Sequence, residues 1–448
     1  VTAVVDAVVV GAGMAGLKAA SELVLLGRSV TVLEASDRVG GRTKRGEIAG
    51  RVADYGGQWV GPRHSVLLAE AERLGIETYE QHTHGRTLLQ LRGRLSRFKG
   101  ETPRMSPPAL AELALLQARW DREMRTIPAA APWTAPKAQA WDSQTLETWI
   151  ERNVRTAEAR AFARWVPQGA WATDASQVSY LWFLDAVRSN GGLGHLTGVR
   201  GGAQERKFRG GMQQIAARLA DELGDRLVLG APVRRIVQGE EGVRVESDKG
   251  VTEGRFAIVA TPPTAAIRIE HQPHLPAAHD MVRQRMAMGA IIKAAVAYES
   301  AFWRESGFSG QAVTDDDTLG VVMDDVQDTG PPVLLCFIEG AHAVALSGES
   351  KAARREKVVA SLARFFGDGA ARPIGYDDND WLVEPWTHGY VGALPPGALT
   401  RYGLGLREPV GRIHWAGTET STEWQGSIEG ALRSGLRAAR EVAARHNA

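Results

Sequence analysis

Between the apolar run Val8-Val9-Val10 and an Ala- and Leu-rich stretch reaching Leu26, the chain places Gly11, Gly13 and Gly16. No other feature constrains the fold as much. Gly11 permits a tight turn, Gly13 lets the backbone approach a pyrophosphate, and Gly16 lets helix and strand pack closely. Gly27 ends the helical stretch, Ser29-Val30-Thr31-Val32-Leu33 reads as a second strand, and Glu34 closes it. The pattern is a βαβ unit whose helix N-terminus offers free N–H groups and a positive dipole end to phosphates. Glu34 can accept hydrogen bonds from both ribose hydroxyls, and its charge repels a 2′-phosphate. The motif alone does not separate FAD from NAD.

The 448 residues are long for one hydrophobic core and suit two domains. From about 105 to 190, Ala, Leu, Trp and Arg recur at helical spacing, with Pro-rich breaks at 103–108 and 128–136, which predicts a mostly helical insertion. Short β-type runs return at Leu227-Val228-Leu229, Val243-Arg244-Val245 and Ala257-Ile258-Val259. Strands are expected near 291–298 and 333–338, and helices near 351–366 and 432–448. Two interleaved domains fit this alternation. The 53 basic and 52 acidic residues leave a net charge of +1, so no global attraction for nucleic acid is expected. Cys336 is alone and lies in Val333-Leu334-Leu335-Cys336-Phe337-Ile338; it forms no intramolecular disulfide and reads as a small buried hydrophobe. There is no run of eighteen apolar residues and no recognisable signal peptide, so the expectation is a cytoplasmic protein without a transmembrane anchor. Asp315-Asp316-Asp317 and Asp324-Asp325 lack metal-site spacing and are expected to be solvated turns; no metal is expected.

Arg38-Val39-Gly40-Gly41-Arg42 follows Glu34 at once, and Gly56-Gly57-Gln58-Trp59-Val60-Gly61-Pro62 comes soon after. Far down the chain stand Ile413-His414-Trp415-Ala416-Gly417-Thr418-Glu419-Thr420 and Trp424-Gln425-Gly426-Ser427-Ile428-Glu429-Gly430-Ala431. In these blocks and their order the sequence resembles the flavin-containing amine oxidases, the family of monoamine, polyamine and bacterial putrescine oxidases. The resemblance implies a mixed α/β, two-domain fold resembling p-hydroxybenzoate hydroxylase. Its Rossmann-like FAD domain (1–79, 207–282, 384–448) is interleaved with a substrate domain of sheet plus helices (80–206, 283–383). It also implies that Gly11, Gly13, Ala15 and Gly16 line the pyrophosphate, Glu34 and Ala35 the ribose, and Gly41 and Arg42 the phosphate side. Gly57, Gln58 and Trp59 then lie near the flavin, Val233 pairs with the adenine through its backbone, and Gly417, Glu419 and Ile428 face the ribityl chain and ring.

On the substrate side Lys293, an isolated charge in Gly289-Ala290-Ile291-Ile292-Lys293, reads by itself as an edge-strand lysine. The resemblance instead implies a catalytic lysine that holds a water against the flavin and stabilises negative charge developing on O₂. Gln204 and Trp59 would contact the substrate, and Tyr390 would be a catalytic residue forming one aromatic wall of an amine cage. Ser427 stands where the family has the second ring, which suggests room for a bulkier, branched or cyclic amine; Trp424 is near enough in sequence to fill that place. Thr197, Val321, Met323 and Phe337 are further substrate-side candidates, with Val166 after them. Gly389 replaces the cysteine through which some relatives tether FAD, so a non-covalent flavin is expected. The implied activity is oxidation of an amine to an imine with reduction of O₂ to H₂O₂; the partners are a small amine and O₂, and a homodimer is compatible with the sequence. Two alternatives stand beside it: an L-amino acid oxidase, with Arg63 as carboxylate clamp, and a non-catalytic flavin-binding scaffold.

Overall fold

A computed structural model describes residues 4–100, 104–315 and 318–446. The glycine-rich segment forms the expected unit: β1 (Val5–Val10), α1 (Met14–Leu25) and β2 (Val30–Leu33). β1 lies parallel to β2 on one side and to Gly250–Val259 on the other. Around this trio grows an eight-stranded sheet, in the order Leu227–Val228, β2, β1, Gly250–Val259, Val243–Ser247, Val233–Gln238 and Glu270–Gln272, with Ile413–Trp415 pairing on Gly250–Val259. The β1 residues Ala7, Val8 and Val9 are wholly buried, as expected of a strand covered on both faces.

α1 is gripped from two sides. A Cβ on Gly16 would overlap the carbonyl oxygen of Gly11, so the helix sits directly on the turn that feeds it. A Cβ on Gly435, in the C-terminal helix Ile428–His446, would overlap the carbonyl of Ala15. Both helices can approach this closely only because the side chains at the contact are absent.

The second sheet has seven strands, in the order Gly375–Asp380, Ile291–Ala297, Val333–Glu339, Val321–Asp325, Phe308–Thr314, Arg86–Leu91 and Arg94–Phe98. Its register sets Lys293 opposite Phe337, and Phe337 opposite Val321, so these three residues form one row across three strands. Alternation separates the faces. Ile292, Ala294, Leu334, Cys336 and Ile338 pack towards the helix Lys351–Phe366, whereas Ala295, Leu335 and Phe337 pack on the opposite side with Ile48 and Tyr55. Cys336 is thus buried on the face turned away from Phe337 and Lys293. Lys293 itself lies on an inner strand, flanked by Val333–Glu339 and Gly375–Asp380.

Between Pro107 and Thr197 the chain is helical, as its spacing predicted. Thr145, Thr156 and Ser179 cap three of these helices by accepting hydrogen bonds from the N–H groups of Thr148, Ala159 and Leu181. Their apolar faces meet in a core containing Trp120, Trp149, Trp171, Trp182 and Phe183. Asp324 and Asp325 correct the sequence expectation: they end a buried strand and are not a solvated turn. Arg304 and the indole of Trp303 hold Asp324, while Arg51, Lys207 and Tyr79 hold Asp325; cations arriving from distant segments make burial tolerable. Asp316 and Asp317 lie outside the described residues, among which no acidic or histidine cluster suited to a metal occurs.

Replacing Gly16 with valine forces α1 off the β1 turn. The expected loss is ~3 kcal/mol, as for strong overpacking. It would be read from the urea midpoint; a variant within about 0.5 kcal/mol of wild type would contradict this packing.

Candidate active site

A continuous cavity draws its lining from both sheets and from the helical segment. One part is glycine-rich: Gly11, Gly13 and Ala15 meet Gly41, Arg42 and Gly417 there. A Cβ on Gly13 would meet only the Cα of Gly41, at 4.0 Å. The two glycines lie close together, since a Cβ on Gly41 would come within 3.3 Å of the Gly13 Cα. Gly13 is also the N-cap of α1 without any side-chain cap, and no acid lies in the first turn, so the first N–H groups keep their capacity to bind an anion. Glu34 lines the same part; it accepts hydrogen bonds from the N–H of Ala12 at 2.5 Å and of Ser36 at 2.8 Å. Burial pushes its carboxyl upward, against the pull of those two bonds. Ala35 and Val233 complete this end. Several buried polar atoms here have no protein partner, among them Thr261 Oγ1, Thr387 Oγ1 and Gln58 Nε2. A glycine cradle, an uncapped helix start and orphaned polar atoms are what a bound dinucleotide would satisfy; the residues fit FAD.

Gln58 marks the junction with the second part. Lys293 Nζ donates to Gln58 Oε1 at 2.8 Å and to the carbonyl of Gly56 at 2.9 Å. An ammonium has no acceptor, so it fixes which way the amide points and leaves Gln58 Nε2 as a buried donor. Lys293 is not in the cavity wall. It stands behind Gln58, its charge 5.7 Å from the Trp59 ring and 5.1 Å from the Phe337 ring, which themselves stack at 5.6 Å. Burial lowers its pKa to about 7, the charges of Asp54 and Asp325 opposing the shift. Asp54 is raised to about 7 by burial, with Lys293 pulling it back.

Beyond this junction the wall is mostly apolar: Trp59, Tyr390, Phe337, Val321, Met323, Trp165, Trp171 and Ile291 line it, with Gln204, Thr197 and Ser427. Gln204 donates through Nε2 to the Leu196 carbonyl at 3.0 Å, so its buried Oε1 is left as an acceptor without a protein donor. Tyr390 is placed by a clamp. Arg42 donates to both oxygens of Glu419, at 2.5 and 2.9 Å, and to the Tyr390 carbonyl at 2.7 Å, while Glu419 accepts from Gly392 N–H at 3.2 Å. Arg42 lines the cavity, but Glu419 lies beneath it, outside the lining, as does Gly16 beneath the glycine turn. Ile428, Gly57 and Gly417 are in the wall; Val166 is fully buried in the helical core.

Ser427 lines the cavity, yet its hydroxyl is committed elsewhere. It donates to the Trp424 carbonyl at 2.7 Å and accepts from Gly430 N–H at 3.1 Å, capping the C-terminal helix. Trp424 does not supply a second cage ring. It turns away at φ 58° and packs against His64 and His195, with Arg63 over its face. Arg63 is therefore absent from the cavity wall, and no carboxylate clamp of the amino-acid-oxidase kind forms from it. Gly389 has φ 129°, and a Cβ there would lie 2.6 Å from that of Met288, so the position preceding Tyr390 has no room for a tethering cysteine. Sequence reasoning missed Trp165, Trp171 and Glu339 as wall residues. The signal for Glu339 was present: it stands two residues from Phe337 on one strand, hence on the same face.

A dinucleotide cradle opening into an apolar chamber, with a lysine-oriented amide at the junction, defines a flavin-dependent oxidoreductase of the Rossmann type. The chain belongs to the flavin containing amine oxidoreductase family, whose model matches residues 14–443, and its cofactor is FAD. It is 42% identical over 442 residues (98% of this chain, 97% of the relative) to AofH of Mycobacterium tuberculosis, a candidate flavin-containing monoamine oxidase. It is 38% identical to the flavin-containing amine oxidase A of Bos taurus, covering 98% of this chain and 84% of that one. Among solved structures, cyclohexylamine oxidase from Brevibacterium oxydans matches with a TM-score of 0.95 at 32% identity over 100% of both chains. Wild-type putrescine oxidase bound to putrescine gives 0.95 at 33% identity, over 99% of this chain and 100% of that one. Among the described residues no helix is long and apolar enough to cross a membrane.

Loss of the Ser427 hydroxyl tests the cap directly. Ser427→Ala should cost about 0.5–2 kcal/mol of stability in urea unfolding; an unchanged midpoint would mean that the hydroxyl does not cap the helix.

Proposed function

We propose that the apolar chamber takes a neutral amine wider than a slim arylalkylamine and that its α-carbon is oxidised at the junction marked by Gln58. The carrying observation is Lys293 behind that junction, orienting the Gln58 amide from a buried site. Held by the cradle of Gly11, Gly13, Ala15, Glu34 and Arg42, FAD would supply the two-electron oxidation of the amine's α-C–H bond and the delivery of those electrons to O₂ as H₂O₂. The amine leaves as an imine, which water hydrolyses to a carbonyl compound and ammonia or a smaller amine. Tyr390 and Trp59 offer ring faces to the amine, and Gln204 Oε1 accepts an N–H from it. The small side chains Thr197, Val321 and Ser427 widen the chamber, in keeping with the cyclic amine in the name of one structural neighbour.

In this reading Lys293 is a positioning residue for the Gln58 amide and the source of positive charge for oxygen reduction. FAD is held without a covalent bond: Cys336 faces the other side of its sheet and Gly389 cannot carry a tether. The division into FAD-binding segments 1–79, 207–282 and 384–448 and substrate-side segments 80–206 and 283–383, a cytoplasmic location and a homodimer belong to the same proposal.

Lys293→Met should slow reoxidation of the reduced flavin by O₂ about ten- to thousandfold, in line with loss of one preorganised charge, and slow anaerobic reduction by amine far less. In the wild type, reoxidation should decline as pH rises through about 7, because the Lys293 ammonium is then lost. Asp54 helps keep that ammonium charged, so Asp54→Asn should move the decline to lower pH. Stopped-flow pH profiles that coincide for wild type and both variants would remove Lys293 from oxygen chemistry. Acid precipitation should leave all yellow colour in the supernatant; flavin retained by the pellet would contradict a non-covalent cofactor.

A further inference from the structure

Gln58 joins the two halves of the site, its backbone held by one and its side chain by the other. The backbone belongs to the cofactor side: Gly57 N–H donates to the Arg42 carbonyl at 3.1 Å, and a Cβ on Gly56 would overlap that same oxygen. A Cβ on Gly57 would lie 3.0 Å from Ile428 Cδ1, so the segment also rests against the start of the C-terminal helix. Arg42, Gly57 and Ile428 all line the cavity, as Gln58 does. The side chain is gripped from the second sheet, where Lys293 donates to Oε1 at 2.8 Å. Gln58 is 1% exposed, and its buried Nε2 has no hydrogen-bond partner. Turning the amide over would set its NH₂ group against the ammonium, so Nε2 stays the free end.

A buried donor without an acceptor costs more than an apolar side chain of the same shape. This one is also a strengthened donor, because an ammonium bonded to the amide oxygen draws electron density away from the nitrogen. Two kinds of acceptor can enter the cavity. A neutral amine has one lone pair and needs it for the C=N bond of the imine, so a donor placed on it opposes the oxidation. An isoalloxazine ring carries carbonyl oxygens and ring nitrogens whose electron density rises on reduction, so a donor placed there assists. The amine has a separate polar contact open to it at Gln204 Oε1, which is an acceptor.

We propose that Gln58 Nε2 donates to the isoalloxazine ring of FAD, and that Lys293 acts on the ring through this amide and so raises its reduction potential. Gln58 is then the residue in contact with the cofactor. Lys293 is a positioning residue: it fixes which end of the amide faces the cavity and sharpens the donor. This rests on the reading of Gln58 as the junction and adds to it the atom that makes the contact.

The test uses the FAD-loaded protein and its apoprotein, with no amine present. The two-electron potential is read against reference dyes in wild type, Gln58→Leu, Gln58→Glu, Lys293→Met and the double variant Gln58→Leu with Lys293→Met. At the wild-type midpoint, each Gln58 variant should cut the ratio of reduced to oxidised flavin at least tenfold, a fall of about 30 mV. Lys293→Met should lower the ratio in the wild-type background, but by less than threefold in the Gln58→Leu background. Titrating apoprotein with FAD and with ADP, which has no flavin, separates contact from folding. Both Gln58 variants should bind FAD at least threefold more weakly and ADP as the wild type does; loss of FAD with ADP binding kept also supports the contact. Potentials within threefold of the wild-type ratio in both Gln58 variants, a full Lys293→Met effect in the Gln58→Leu background, or ADP affinity falling in step with FAD affinity overturns the proposal. Those results leave the amine-oxidase reading intact, since a chemical reductant supplies the electrons; failure of every amine to reduce the wild-type flavin overturns that reading instead.

Discussion

Close contact between backbones is the constraint on which the site depends. α1 touches the β1 turn at Gly16 and the C-terminal helix at Gly435, and at neither point is there a side chain to hold the surfaces apart. The two helices therefore both begin beside the same cavity, lined by Gly13, Met14 and Ala15 from one and by Ser427, Ile428 and Ala431 from the other. A helix start carries unsatisfied N–H groups and a positive field. The start of α1 keeps those groups free for phosphate, whereas the C-terminal helix carries the Ser427 cap and Glu429 in its first turn. The rest of the eight-stranded sheet fixes these starts in space.

The second sheet supplies what a dinucleotide cradle lacks. Its register aligns Lys293, Phe337 and Val321, and its alternation sends Cys336 and Ile338 to a separate core. Lys293 is held in an apolar setting by two hydrogen bonds and by the charges of Asp54 and Asp325. Such a lysine gives up its proton far more readily than an exposed one, so its charge responds to the surroundings of the junction. The Arg51–Asp325–Lys207 cluster behind it absorbs the competing charges and ties the β-hairpin 45–54 to this sheet.

Much of this was legible in the residues. The βαβ unit, the helical stretch from 107 to 197 and the helix Lys351–Phe366 all follow from periodicity and from glycine placement, which act locally. The family blocks carried the cofactor and led to Tyr390, Gln204 and Lys293. Spacing could not tell that the Ser427 hydroxyl is spent on a helix cap, that Trp424 turns towards His64 and His195, or that Asp324 and Asp325 are buried. Trp424 and Asp325 depend on partners more than a hundred residues away, Asp324 on Trp303 and Arg304 brought over from a neighbouring segment, and Ser427 on a local backbone reversal.

The sequence by itself determined the cradle: glycines at 11, 13 and 16 with Glu34 after the second strand leave a strand–turn–helix little freedom, because each position answers a steric or hydrogen-bonding demand within thirty residues. Only the tertiary structure decided the chamber. Glu339 became a wall residue through strand register, Lys293 became an orienting cation because Gly56 and Gln58 were brought to it, and Tyr390 took its place because Arg42 and Glu419 grip its segment. These are pairings between segments far apart in the chain. Their energies depend on burial and distance, which no local pattern of residues encodes.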